Sequence, residues 1–148
     1  MSHTAEQQLE RAFVYLMRSP KWVAYSGVLM VGDTRVEDDE SKCPTAYTDG
    51  LNCVFGRKFM SGLSEPEIRA LVVHENLHKM FRHMVLWQHL YRESPVLANM
   101  ACDYVINSII VEAADPGVVL PEGGLYDPKY TGMDSQEVFN LLKQTAFN

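Results

Sequence analysis

Apolar residues recur with helical spacing in four stretches of the chain, and each stretch begins at a residue suited to a helix N-terminus. Thr4, Ser64, Ser94 and Asp134 stand at these starts, and two of them are followed three residues later by a glutamate that completes a capping box. Helices are therefore predicted over approximately residues 4–18, 65–92, 94–114 and 134–145. The second stretch is apolar on nearly all sides, which is typical of a buried helix.

Two shorter regions favour β-structure. Residues 23–31 are rich in β-branched and aromatic side chains and are followed by a Gly-Asp pair, which predicts a strand. Asp49-Gly50 separates residues 45–48 from residues 51–55, and an Asp-Gly pair between two such runs predicts a hairpin. Loops are predicted over residues 33–44 and 116–132. The expected fold is α+β: a small sheet of about three strands carries the long helix, and a second helix packs across from it.

The composition limits the classes of function. With 148 residues, a single domain over residues 1–148 is the default prediction. The net charge of -6, with scattered basic residues, gives no basic patch for nucleic acid. We expect no membrane span, because no apolar run is long enough. The N-terminus lacks a signal-peptide pattern, and the three cysteines show no disulfide spacing, so a reducing cytoplasm is the expected compartment.

The long helix contains His74-Glu75-Asn76-Leu77-His78, an H-E-x-x-H motif. Residues i and i+4 project from one helix face about 6 Å apart along the axis, so both imidazoles can hold one metal ion. Glu75 is rotated by about 100°, which suits a general base better than a ligand. The alternative is a pair of core histidines satisfied by hydrogen bonds. Burial of all three polar groups favours the metal, and the motif predicts catalytic zinc.

A catalytic zinc ion usually takes a third protein ligand. The following helix carries Asn99, Asp103 and Asn107 as one polar stripe on an otherwise apolar segment. Asp103 is the only anion of the stripe and is the predicted ligand. The asparagines are candidates to orient the histidines or the carboxylate. The alternative is that Asp103 only accepts a proton from a histidine ligand.

Three further residues remain alternatives for the third ligand or are disfavoured by geometry. Asn99 and His83 stay open as ligands, although His83 is about 140° around the helix from His78. On the predicted helix, His89 would lie about 16 Å farther along, and the third histidine of a metzincin pattern would fall at Met84. We therefore interpret His83 and His89 as surface or outer residues.

Further segments carry a family pattern around this motif: Thr45-Ala46-Tyr47-Thr48-Asp49-Gly50, Leu63-Ser64, Arg82-His83, the run from Asn99 through Asp103-Tyr104 to Asn107, and residues 126–139. With them, roughly residues 5–145 resemble the predicted metallopeptidase domain of bacteria and phages, which often precedes a von Willebrand A-like domain. The resemblance implies a zincin-like fold and zinc-dependent peptidase activity. In zincin-like proteins a sheet edge beside the metal pairs with extended substrate, and the hairpin over residues 45–55 is the candidate for that edge.

The leading functional hypothesis is hydrolysis of a peptide or isopeptide bond in a protein or peptide substrate. Zinc held by His74, His78 and Asp103 would activate water, with Glu75 as the general base. Candidates for an oxyanion donor are Tyr104, Tyr126 and Tyr130. Two alternatives are a non-catalytic, metal-stabilised module that binds a protein partner and a hydrolase of a non-peptide amide. The sequence indicates neither the substrate nor the oligomeric state.

Overall fold

The structure is a computed structural model that describes residues 2–83, without the side chain of His83, and residues 87–146. Helices and a small sheet alternate in the first half of the chain, and helices dominate the second. In chain order the elements are α1 (Ala5–Arg18), α2 (Ser26–Leu29), β1 (Thr34–Glu37), β2 (Ala46–Thr48), β3 (Cys53–Gly56), α3 (Arg57–Ser61), α4 (Glu65–His83), α5 (Gln88–Glu93), α6 (Pro95–Glu112) and α7 (Ser135–Ala146), with short 3-10 turns at Val23–Tyr25 and Pro128–Tyr130. The predicted α+β class is confirmed.

The three strands form one sheet in the order β1-β3-β2. The central strand β3 is buried along its whole length. It pairs in antiparallel register with β2, which confirms the predicted hairpin, and in parallel register with β1. Because β1 lies inside residues 33–44, the prediction of a loop over that whole segment is wrong. Only the second half of β1 is partly buried, so the strand depends on pairing with β3 more than on a hydrophobic pattern of its own.

The predicted helix starts are confirmed by the capping contacts. Thr4 and Gln7 form a reciprocal capping box at α1. Ser64 and Glu67 do the same at α4, with backbone-to-side-chain distances of 2.9 and 3.4 Å. Equivalent pairs open the later helices: Ser94 caps α6 by accepting from the Leu97 amide, and Asp134 exchanges hydrogen bonds with Glu137 before α7.

The helix α4 lies at the centre of the molecule. It packs against α1, α2, α6 and the hairpin strands. Its apolar side chains form much of the hydrophobic core: Ile68, Ala70, Leu71, Val72, Val73, Leu77 and Phe81. This arrangement confirms the prediction of a buried helix, and it places the H-E-x-x-H motif between β2 on one side and α6 on the other.

The predicted strand over residues 23–31 is wrong. The segment forms a 3-10 turn followed by the short helix α2. Trp22 and Leu29 are buried, seven positions apart, while Val23 is 48% exposed and Met30 is 71% exposed. Seven positions correspond to two helical turns, so Trp22 and Leu29 lie on the same side and both pack into the core. Tertiary packing therefore overrides the local β-propensity.

The prediction of one helix over residues 65–92 is also wrong. The helix α4 ends at His83, α5 begins at Gln88, and Leu90 of α5 is fully buried. A single helix of about 28 residues would reach about 42 Å, beyond the roughly 30 Å diameter of a small domain. It would carry Leu90 out of the core. Residues 84–86, which include Met84, lie outside the described residues.

All three cysteines, Cys43, Cys53 and Cys102, are buried as free thiols. This agrees with the prediction that the fold has no disulfide framework. Across the residues that the structure describes, no helix combines the length and apolar character needed to cross a bilayer.

A cluster of hydrogen bonds around Asp115 joins the end of α6 to α1. The carboxylate of Asp115 accepts hydrogen bonds from the Tyr15 hydroxyl at 3.0 Å, the Trp22 indole N–H at 2.9 Å and the Gly117 amide at 2.8 Å. Burial alone would raise the pKa of Asp115, but the Trp22, Gly117 and Tyr15 donors outweigh it and hold the pKa below its usual range. This carboxylate therefore stabilises the fold in its ionised form.

We expect Asp115→Ala to lower the free energy of unfolding by about 2 kcal/mol, because it leaves the Tyr15 and Trp22 donors without their acceptor. Since the folded pKa is lowered, the wild-type advantage is complete above the ordinary aspartate pKa of about 3.9 and disappears as the pH falls through the folded value. Urea denaturation at several pH values measures both effects. Asp33→Ala is the control, because Asp33 is exposed and its side chain bonds no other described residue. A loss no larger than in this control contradicts the assigned role.

Candidate metal centre

Three side chains from two helices meet at one point. His74 and His78 project from adjacent turns of α4, and Asp103 faces them from α6. The His74 Nε2 and His78 Nε2 atoms are 3.1 Å apart, and Asp103 Oδ1 lies 2.9 Å from the first and 2.6 Å from the second. These residues form a group whose ligand atoms all lie within 4.8 Å of one another. The structure thus brings together the three residues that the sequence analysis selects as ligands.

Asn107 determines which nitrogen of His74 carries its proton. The Asn107 Nδ2 atom donates to the Leu125 carbonyl oxygen at 2.7 Å, so its Oδ1 atom is turned toward His74. That oxygen lies 2.8 Å from His74 Nδ1 and can only accept, which places the imidazole proton on Nδ1. The neutral ring then presents the Nε2 lone pair to Asp103 and His78.

The donor set needs a positive charge between its atoms, which a proton or a metal ion can supply. A neutral Nε2 lone pair and a carboxylate oxygen repel each other at 2.9 Å unless a proton or a metal ion lies between them. The ligand-atom separations of 2.6–3.1 Å are about 0.2 to 0.7 Å shorter than the roughly 3.3 Å found between ligands of a tetrahedral ion with bonds of about 2.0 Å. Small side-chain rotations would seat such an ion. Two imidazole nitrogens and one carboxylate oxygen therefore fit a divalent transition metal.

The electrostatics favour a charged site despite its burial. Burial disfavours the ionised carboxylate, but hydrogen bonds from His74 and His78 hold the pKa of Asp103 at about 2. Burial also opposes a proton on His74, yet Asp103 and Glu75 together with Asn107 leave the pKa of His74 raised. Both shifts have the same cause: the ionised Asp103 carboxylate and the positive form of the imidazoles stabilise each other.

Glu75 lies next to this group but is not part of it. Its side chain is only 7% exposed, and no hydrogen-bond donor among the described residues reaches its carboxyl. Burial raises the pKa of Glu75, and the neighbouring imidazoles only partly oppose the shift. A buried carboxyl group that has a raised pKa and no hydrogen-bond partner among the described residues is suited to accept and release a proton.

A cleft of about 260 Å³ opens beside His74 and Glu75. One wall is the start of β2, and the opposite wall is the loop of residues 120–124. The bond from Asn107 to Leu125 ties the loop to the His74 side of the site. The remaining lining residues are Phe59, Ala70, Leu71 and Asn107. The cleft therefore reaches the metal group at His74 and Glu75.

The family model described as "Putative metallopeptidase domain" matches residues 4–146. The chain belongs to this family. No curated protein and no solved structure is detectably similar to the chain. Membership of the metallopeptidase family agrees with the resemblance found in the sequence, and the family description agrees with a metal-binding His-His-Asp group.

The other candidates from the sequence are Asn99, His83, His89 and the tyrosines, and none of the described ones belongs to the His74-His78-Asp103 group. Asn99, the first residue of the polar stripe, bonds no other described residue through its side chain. His89 is exposed on α5 and pairs with Gln136 at 2.5 Å, which confirms that it is an outer residue. The side chain of His83 lies outside the described residues. Tyr104 and Tyr130 stack on each other with ring centroids 4.6 Å apart.

The cleft lining identifies no oxyanion donor among the predicted tyrosines. Tyr104, Tyr126 and Tyr130 are all absent from the described lining. Tyr130 is buried against Tyr104, and Tyr126 is 38% exposed. The oxyanion donor therefore stays a prediction among these three residues.

The sequence analysis missed two features of this region. The Leu125 carbonyl orients Asn107, but a main-chain acceptor in a loop leaves no residue-type signal. Lys79, next to His78, is only 1% exposed and donates to the Val31 carbonyl at 2.5 Å. Burial lowers the pKa of Lys79. The signal in the sequence was a lysine inside an apolar helical run. The bond from Lys79 to the Val31 carbonyl ties the end of α2 to α4.

We expect Asn107→Ala to weaken divalent metal binding by about 10- to 100-fold, because His74 loses the acceptor that fixes its tautomer and ring orientation. Competition with a chromophoric chelator, using Zn²⁺ and Co²⁺ as probes, measures the affinity. Asn99→Ala is the matched control, since Asn99 occupies the same stripe one helical repeat away from Asp103. If the two substitutions weaken metal binding equally, the proposed role of Asn107 in orienting His74 is wrong.

Proposed function

We propose that the chain is a zinc-dependent hydrolase that cleaves a peptide or isopeptide bond. The observation that carries the proposal is the placement of Glu75. Its buried carboxyl borders the cleft beside the His74-His78-Asp103 group and has no hydrogen-bond partner among the described residues. A group in this position is available to a water molecule held between it and a metal ion.

His74, His78 and Asp103 are the residues that would hold the zinc ion. Two imidazoles and one carboxylate match the ligand types of catalytic zinc sites, which keep a position open for water or substrate. When bound, a zinc ion supplies Lewis acidity toward a carbonyl oxygen and lowers the pKa of a coordinated water to about 7. Asn107 holds His74 in the tautomer that offers Nε2 to the ion.

Glu75 acts as the general base. One of its carboxylate oxygens accepts a proton from the attacking water, and the protonated carboxyl then passes that proton to the nitrogen of the leaving amine. The raised pKa of Glu75 brings it closer to that of the water it must deprotonate. The hydrocarbon walls of the cleft keep other water molecules from competing for the proton.

The open edge of β2 supports a polypeptide as the substrate. Gly56 donates to the Thr45 carbonyl at 2.7 Å and Asp49 to the Asn52 carbonyl at 3.2 Å, which fixes the alternation of bonded pairs in the hairpin. Since Ala46 pairs with Phe55 between these positions, its N–H and C=O groups point away from β3. Ala46 also lines the cleft. An extended peptide main chain could therefore add to this edge beside Glu75.

Two alternatives fit the site less well. A metal-stabilised binding module would not need a buried, unpaired Glu75, and structural zinc sites are usually closed by a fourth protein ligand. Among the described histidines, cysteines and carboxylates, no fourth residue joins the His74-His78-Asp103 group. A hydrolase of small non-peptide amides would not use the strand edge at Ala46.

We expect the purified protein to bind about one zinc ion per chain through His74, His78 and Asp103. Asp103→Ala should reduce zinc affinity by more than about 100-fold, because it removes a ligand and not merely an outer partner. Elemental analysis after purification without chelator gives the stoichiometry, and chelator competition gives the affinity. Wild-type protein that neither retains zinc nor takes it up on addition would end the proposal.

Two histidine variants complete the zinc experiment. His89→Ala is the control, because His89 is exposed on α5 and pairs with Gln136. His83→Ala tests the alternative ligand from the sequence analysis. A large loss of affinity in His83→Ala, with Asp103→Ala unchanged, would reverse the ligand assignment.

Glu75→Gln should retain zinc and the fold while lowering the rate of peptide hydrolysis by at least about 100-fold, since the amide keeps the shape of the side chain but cannot accept the proton. Cleavage of a peptide mixture, followed by mass spectrometry, measures the rate, with zinc content and thermal unfolding measured in parallel. Glu112→Gln, an exposed position at the end of α6, is the control. Release of zinc by Glu75→Gln would instead make Glu75 a ligand, and undiminished hydrolysis would exclude it as the base.

A further inference from the structure

We infer that the cleft beside Glu75 is a side-chain pocket that selects a large apolar residue next to the cleaved bond and rejects acidic residues. This inference rests on the proposed function, because it concerns the polypeptide that the same site would cleave. The pocket is nevertheless a property of the fold, and its preference can be measured by binding without any cleavage.

The walls of the pocket are mainly hydrocarbon. Its apolar lining comes from the strand edge, from α3 and α4, and from the loop after α6: Ala46, Phe59, Ala70, Leu71, Leu120 and Pro121. Gly123 and Gly124 extend the same loop without side chains. An apolar side chain that enters this space exchanges water for hydrocarbon contacts, and each buried CH₂ group contributes to its affinity.

The volume suits one side chain. At about 260 Å³ the cleft is smaller than the roughly 300 to 1,000 Å³ of sites that enclose a whole small molecule. It is also several times the roughly 30 Å³ that one water molecule occupies in the liquid. The methyl side chain of an alanine would fill only a small part of the cleft and leave the rest to water, whereas a phenylalanine or leucine side chain would contact several walls.

Apart from His74 at the metal group, the ionisable side chains that line the pocket are acidic. Among the described lining residues there is no lysine or arginine, while Glu75 lies at the inner end and Glu122 on the loop. An aspartate or glutamate side chain that enters the apolar part of the pocket would lose its hydration among hydrocarbon, and it would meet the carboxyl groups of Glu75 and Glu122. Acidic residues are therefore excluded more strongly than small neutral ones.

The position of the pocket determines which residue of the substrate places its side chain there. His74 and Glu75 border it directly, and the unpaired main-chain groups of Ala46 border it from the strand side. A peptide extended along Ala46 turns alternate side chains to the same face. The side chain that enters the pocket thus belongs to a residue that flanks the bond presented to Glu75.

Gly124 allows the pocket to be filled without backbone strain. Its φ lies outside the left-handed region, and a Cβ atom there would meet Asn107 Nδ2 and the Pro121 oxygen at 3.5 Å, which is ordinary contact. Gly124→Leu should therefore fill the cleft, and Leu120→Ala should enlarge it. Gly27→Leu is the control, because Gly27 is exposed on α2 with no atom near the added Cβ.

The binding test uses the blocked tripeptides acetyl-Ala-X-Ala-amide with Phe, Ala or Asp at X, and a fourth peptide with Trp at X for the comparison with Leu120→Ala. Their dissociation constants come from NMR titration of the zinc-loaded protein, with mass spectrometry to verify that the peptides stay intact. We expect the Phe peptide to bind about 10- to 100-fold more tightly than the Ala peptide, and the Asp peptide to bind most weakly. The Phe advantage should disappear in Gly124→Leu and persist in Gly27→Leu. In Leu120→Ala the preference should move to Trp over Phe.

The outcomes separate this inference from the proposed function. Equal affinities for the Phe, Ala and Asp peptides, or a Phe advantage that survives Gly124→Leu, would overturn the pocket. A Phe advantage that responds to Gly124→Leu supports the pocket even if no peptide is cleaved, and the absence of cleavage would then count against the peptidase proposal alone. Cleavage of a peptide mixture with no preference at the residues that flank the broken bond would overturn the pocket and leave the peptidase proposal intact.

Discussion

The contact of Asp103 with His74 and His78 is the constraint on which the rest of the structure depends. These three polar groups lie between two helices that are otherwise apolar, and any one of them would be costly to bury alone. Together they satisfy one another, with Asp103 Oδ1 within 3 Å of both imidazoles. The contact joins α4 to α6 at the place where the two central helices pack against each other.

The geometry of the candidate site follows from the packing of these two helices. Glu75 is placed beside the metal group by its position between the two histidines, and Asn107 reaches His74 from one turn beyond Asp103. Asn107 also bonds Leu125, so the loop that forms one wall of the cleft is held by the same residue that orients a ligand. The orientation of His74 and the shape of the cleft are thus connected through a single amide side chain.

Polar contacts outside the centre keep α4 fixed from its other sides. Lys79, one residue after His78, is bonded to the Val31 carbonyl and ties α4 to the end of α2. Arg69, near the start of α4, donates to the Gly117 carbonyl and lies over the Tyr15 ring at 4.0 Å. Through Tyr15 this contact reaches the Asp115 cluster at the end of α6. The helix that carries the motif is therefore held along its length, as a preorganised site requires.

The sequence by itself determined the local features: the capped helix starts, the Asp-Gly hairpin, the H-E-x-x-H face and the polar stripe that contains Asp103. Each depends on spacings within one element, which helix and turn geometry fix. Only the tertiary structure decided that residues 23–31 turn instead of extending, that residues 34–37 add to the sheet, and that α4 ends at His83. It also brought Leu125 to Asn107 and closed the cleft with residues 120–124. These outcomes depend on contacts between distant segments, whose packing and main-chain hydrogen bonds override local propensity.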